Sequence, residues 1–174
     1  MEKHNNLDAI RHRSRFEQIP MYLKKLFRMF IFMNDWKVIP MSALVAAVTA
    51  MVVANKMYVD MEGTVQGSLA LSCICIWNGF FNSIQSICRE RDVIKREHRN
   101  GMYVSSYVIA HMIYQAFICI IQTVITLSIC KMWGMAFPTD KMPEAEYMFY
   151  IGVTLFLVTY SADMMALLIS GIAR

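Results

Sequence analysis

Charge is what this sequence has least of. Asp, Glu, Lys and Arg make up 17% of its 174 residues, where a soluble domain carries about a quarter. The few charges are also clustered. Gln66 to Cys88 carries none, and Ser105 to Cys130 carries none when His111 is neutral. Uncharged apolar windows of about 20 residues are long enough to span a bilayer. With 57% of residues hydrophobic, they exclude a soluble domain and predict an all-α integral membrane protein. The net charge of +4 is no nucleic-acid footprint, because its excess sits in the N-terminal segment and in one loop. The expected partner is the lipid bilayer and no nucleic acid.

Signatures of catalysis are missing too. The sequence holds no GxSxG, no HExxH and no Cys/His cluster with zinc spacing. No glycine is followed by Lys, so the phosphate-cradling GxxxxGK[ST] loop is absent. The chain is therefore expected to be no enzyme, with no cofactor and no metal of its own. Its five cysteines, Cys73, Cys75, Cys88, Cys119 and Cys130, all lie inside or at the ends of apolar segments, which argues against a disulfide framework. Cys73 and Cys75 are two apart and do not share a helical face. The first residues are polar and charged, unlike a signal peptide.

What the sequence does contain is ordered along the chain. Residues 1–15 are polar and basic and read as a cytoplasmic tail or linker. Over 16–35, Ile19, Tyr22, Leu23, Leu26, Phe27, Phe30 and Ile31 recur at helical spacing, with Lys24, Lys25 and Arg28 on the other side. Pro20 suits the first turn. A basic amphipathic helix of this kind lies in the membrane interface. Residues 36–174 form the membrane domain, with spans predicted at 38–57, 66–88, 106–133 and 147–171. In the first, Ala43, Ala46, Ala47 and Ala50 would let a neighbouring helix approach closely.

Between the second and third spans lies a dense mixed-charge run, Arg89 to Arg99. Each Arg or Lys at mid-membrane costs roughly 2.5–3.5 kcal/mol, so this run lies in water. We read 89–101 as a short charged helix. Val93 and Ile94 give it an apolar spot, Gly101 can end it, and Ser105 or Ser106 can cap the next helix. Basic residues set the orientation. Eight lie in the first 37 residues and five in 89–101, against Lys56 alone and the pair Lys131 and Lys141 in the other two loops. The N-terminus and the charged run are thus expected on the cytoplasmic side of a multi-pass protein in the plasma membrane.

Buried polar side chains are costly in a membrane, so their positions are informative. Asn78, Asn82 and Gln85 share one face of the second span, extended by Cys75. His111, Gln115, Gln122 and Thr126 share a face of the third, and Thr159, Asp163 and Ser170 a face of the fourth. Asn82, Gln85, His111, Gln115 and Asp163 all fall in the cytoplasmic half. They could line a cavity open to the cytoplasm, or they could be interhelical hydrogen bonds holding the bundle, at about 0.6 kcal/mol each. His111 is a candidate partner for Asp163, or a helix-end histidine facing headgroups.

Several of these stretches resemble a known family. Asn34-Asp35-Trp36-Lys37, Arg89-Glu90-Arg91 with Arg96-Glu97, Gly101-Met102-Tyr103, Ser105 to Ala110 and Thr159 to Leu167 resemble the permease domain of ATP-binding-cassette exporters of the G subfamily, in its bacterial form. The resemblance implies an interfacial elbow helix at 16–35, four transmembrane helices, and a cytoplasmic coupling helix at 89–101. Arg89, Glu90, Arg91, Val93, Ile94, Arg96 and Glu97 would dock on a nucleotide-binding ATPase domain, which holds ATP and Mg. Cys75, Asn78 and Asn82 would face the substrate cavity between two permease copies, and the cargo would be a small hydrophobic or amphipathic molecule. That family has six spans, so the resemblance implies an incomplete six-helix permease, truncated after the fourth span. Two other functions stay open: a small four-helix proton-coupled exporter using Asp163, and a non-transporting membrane anchor or regulator.

Overall fold

A computed structural model describes residues 15–32, 35–83, 94, 96, 103–135, 137, 138 and 143–172. Every regular element among them is helical. The helices are α1 (Arg15–Phe32), α2 (Val38–Val53), α3 (Met61–Ser83), α4 (Val104–Met132) and α5 (Glu144–Ile172), with a single 3₁₀ turn at Asp35–Lys37. The last three are each long and apolar enough to cross a membrane, and α2 is a shorter apolar helix. Large side chains such as Leu44, Val48, Leu69, Phe117, Val124 and Leu157 point outward. In water these faces would be a severe aggregation liability. In a bilayer they are the lipid-facing surface of an all-α membrane protein.

α1 is amphipathic, as its spacing predicts. Leu26 is buried, and α1 packs along α4. Tyr22 meets Tyr107, and Phe27 meets Tyr114 and Phe117, all edge to face with ring centroids 5.6–5.8 Å apart. Gln18 Oε1 accepts the Tyr103 backbone N–H at 3.1 Å. Two expectations change here. The helix begins at Arg15, so Pro20 sits in its second turn rather than its first. The residue preceding α4 is Tyr103, in extended conformation and without a side-chain cap. Ser105 and Ser106 are already inside the helix, and Gln18 reaches across from α1 to the Tyr103 backbone.

The first span is shorter than expected. α2 has 16 residues, about 24 Å of helix against a hydrocarbon core of about 30 Å. It stops at Val53 because the chain turns over residues 54–60. Tyr58 there adopts φ +66°, a left-handed conformation that is uncommon for a bulky residue. Two things hold it. Its N–H donates to Thr64 Oγ1 at 3.0 Å, and its ring packs against Phe137 and Tyr147 at centroid distances of 5.9 and 5.7 Å. Burial, and next the neighbouring Tyr147, hold the Tyr58 phenol above its ordinary range, so it stays neutral.

This turn lets α3 start at Met61, five residues before the expected Gln66, and fold back along α2. A Cβ at Gly63 would lie 2.5 Å from Lys56 O, so only glycine permits that approach. The buried stripe of α2 is Ser42, Ala46 and Ala50, continued by Ala54 just past its end. The expected Ala43 and Ala47 are only half-buried. α5 begins at Glu144, three residues before the expected Tyr147, and Lys131 pairs with Glu144 at 3.0 Å across the α4–α5 connection.

The most extensive helix contact is α3 on α5, with α4 against α5, α2 against α4 and α3, and α1 outside on α4. The apolar core gathers at the end nearest the 54–60 turn, where Ala50, Ala54, Met57, Leu71, Cys75, Cys130, Met135, Phe137 and Leu155 are buried together.

Candidate functional site

The opposite end of the bundle is built from polar side chains. Its geometry starts at Gly79 on α3. A Cβ there would collide with Thr159 O and sit 3.0 Å from Ala162 Cβ, so α3 and α5 meet nearly backbone to backbone. One turn further on, this closeness brings Ser83 to Asp163. The Ser83 hydroxyl donates to Asp163 Oδ1 at 2.6 Å. Gln115, from α4, closes the group: its Nε2 donates to Ser83 Oγ and to Asp163 Oδ1 at 3.3 Å. Ser83 and Asp163 are fully buried, and Gln115 nearly so. Three helices are thus joined around one carboxylate.

A second polar layer lies beside it. Asn82 Nδ2 donates to Gln122 Oε1 at 2.8 Å, and Gln122 Nε2 donates back to Asn82 Oδ1 at 3.1 Å. This reciprocal amide pair satisfies both groups across the α3–α4 interface. Thr126 and Thr159 instead bond the carbonyls of Gln122 and Leu155 on their own helices, each at 2.8 Å.

His111 does not partner Asp163. Its Nε2 lies 2.8 Å from the Tyr107 hydroxyl, one turn back on α4, and both rings are buried. His111 is therefore not a headgroup-facing histidine either. Two buried side-chain polar atoms among the described residues have no hydrogen-bond partner: His111 Nδ1 and Asp163 Oδ2. Unmatched polar atoms in a buried site cost about 1–3 kcal/mol each.

The residues singled out from the sequence separate into three sets. Asn82, Gln115 and Asp163 come together in interhelical hydrogen bonds, and His111 lies beside them. Cys75 and Asn78 are buried in the chain's own packing instead of lying on its outer surface, where α3 presents Ile76, Trp77 and Phe81. Gln85 and the charged run Arg89, Glu90, Arg91, Val93 and Glu97 lie outside the described residues. Within that run Ile94 and Arg96 are described and helical, Ile94 half-buried and Arg96 exposed. Sequence reasoning missed Ser83 and Tyr107. Ser83 had a usable signal, since it follows Gly79 by four residues and small residues at that spacing mark close helix contact.

Neither a curated protein nor a solved structure matches this chain. A protein-family model does, over residues 17–174, which takes in α1 from its third residue, all four apolar helices and the charged run between α3 and α4. A multi-pass helical bundle with buried polar groups and no catalytic motif suits a transport domain, and the chain belongs to the ABC-2 type transporter family as a membrane permease component.

Proposed function

We propose that this chain is the permease portion of an ATP-driven exporter of the G subfamily, in which residues 89–101 dock on a nucleotide-binding domain. Energy comes from ATP and Mg on that partner. Two permease copies form the pathway for a small hydrophobic or amphipathic substrate, in the plasma membrane with the N-terminus cytoplasmic. The observation that carries the reading is the mixed-charge run set between two apolar spans of a family member. An isolated loop gains nothing from mixed signs, whereas a docking surface needs complementary charges to fix its register.

The position of Ser83, Gln115 and Asp163 supports this reading. Ser83 is the last residue of α3 and lies six residues before Arg89. In this reading a movement of the 89–101 segment is passed along the chain to Ser83 and the bonds that hold α3 to α5. Asp163, Gln115 and His111 act in this reading as a polar relay at the end of the bundle that faces the ATPase. Asn82, with Gln122, stabilises the same end.

The test uses the permease assembled with its ATPase. Glu97→Lys or Ile94→Asp should leave insertion intact and ATP hydrolysis running, while substrate stops moving. Cysteines at Lys95 or His98 should crosslink to the ATPase. Normal transport in those variants, with no crosslink, would reduce the run to a solvated loop.

A further inference from the structure

The outer face of α1 carries a groove. Met21, Lys24, Lys25, Arg28, Met29 and Phe32 line a groove of about 540 Å³. Their spacing places them on one stripe of the helix, opposite the Leu26 face that packs on α4. Glu17 is the only acid in α1 and lies two turns away from Lys24. Lys24 and Arg28 are exposed and form no ion pair among the described residues. The Arg28 guanidinium stands 5.7 Å from the centroid of the Phe32 ring, which directs its charge along the groove.

The depth of this groove identifies its occupant. Lys131 and Glu144, paired and half-exposed, mark one boundary of the hydrocarbon. Counting back about 20 residues along α4 reaches the level of His111 for the other. α1 runs beside α4 in the same direction, with Tyr22 at Tyr107 and Phe27 at Tyr114. Lys24 and Lys25, between those two contacts, therefore stand at the level of His111. That is the headgroup layer. Ile31 and Phe32, at the end of α1, are exposed apolar side chains that continue toward the hydrocarbon.

We propose that this face binds the phosphate of an anionic phospholipid between Lys24, Lys25 and Arg28, with the upper acyl chain against Met29 and Phe32. A phosphodiester headgroup resides at this depth. The inference rests on the chain's membrane character and on no assumption about the ATPase or the cargo.

The test reconstitutes the full chain into nanodiscs of phosphatidylcholine with phosphatidylglycerol and measures, by native mass spectrometry, the lipid that stays bound. Wild type should retain phosphatidylglycerol over phosphatidylcholine. The double variant Lys24→Gln/Arg28→Gln should lose that retention by about thirtyfold, at about 1 kcal/mol per basic residue near the surface. Lys24→Arg/Arg28→Lys should keep it, and Lys131→Gln, at the far end, should leave it unchanged. Equal retention in the double variant would overturn the site. So would displacement by soluble glycerophosphate, because the occupant would then be a free phosphate. The readout needs neither ATP nor transport, so its failure is separate from failure of the exporter reading.

Discussion

The two ends of the bundle are held by different physics. Around the 54–60 turn the core is apolar and aromatic: Met57, Leu71, Cys130, Phe137 and Leu155, with the rings of Tyr58 and Tyr147. Such packing is non-directional, and its strength grows with contact area and tight fit. Around Ser83 and Asp163 the helices are joined by directional hydrogen bonds to one carboxylate. The first kind of interface has one best packing. The second keeps hydrogen-bonding capacity at Asp163 Oδ2 and His111 Nδ1, which have no partner among the described residues.

That contrast can be broken in order of expected effect. The largest belongs to Gly79→Leu, which inserts a side chain where even a Cβ meets Thr159 O and Ala162. Forcing α3 from α5 should cost about 3 kcal/mol or more, read as a lower thermal unfolding midpoint in detergent and loss of folded yield. A stable variant would show that the close approach does not organise the bundle.

Ser83→Ala comes next. It removes the donor to Asp163 Oδ1 and the acceptor for Gln115, at about 2 kcal/mol for stranding buried partners. Asp163→Asn keeps an oxygen for Ser83 and Gln115, so it should express and unfold almost as wild type does. In a transporting assembly it should nevertheless impair substrate export. Normal export would leave Asp163 with a packing role alone.

At the aromatic end, Tyr58→Ala should lose about 1 kcal/mol of ring packing and keep the left-handed strain. Tyr58→Gly loses the same ring but relieves the strain, so it should unfold at a higher temperature than Tyr58→Ala. The reverse order would show that the positive φ costs nothing. The smallest effect is the Asn82–Gln122 pair. A double-mutant cycle with leucine at both positions should give a coupling of about 0.6 kcal/mol. A coupling well above that would move this layer from mutual satisfaction to a principal clamp.

Much of this was legible before any coordinates. The polar faces of the second, third and fourth spans follow from helical spacing alone, and nearly all of those residues are buried where spacing turned them inward. Their partners were not legible. Spacing leaves His111 open as a partner for Asp163 or as a headgroup-facing histidine, and it is neither: Tyr107, one turn away on the same helix, meets its Nε2. Asp163 is met by Ser83, a residue too ordinary in an apolar window to stand out. Helix ends were missed by three to five residues wherever a turn was decided by distant contacts, as at Tyr58.

The linear chain thus determines its solvent and its helices, because the cost of placing charge in hydrocarbon and the 3.6-residue period both act locally. It determines the family as well, since that likeness resides in ordered runs of residues. Only the tertiary structure decides which polar atom meets which. That depends on the offset between helices, and the offset here comes from one absent Cβ at Gly79, which allows α3 and α5 to approach until the Ser83 hydroxyl donates to Asp163 Oδ1.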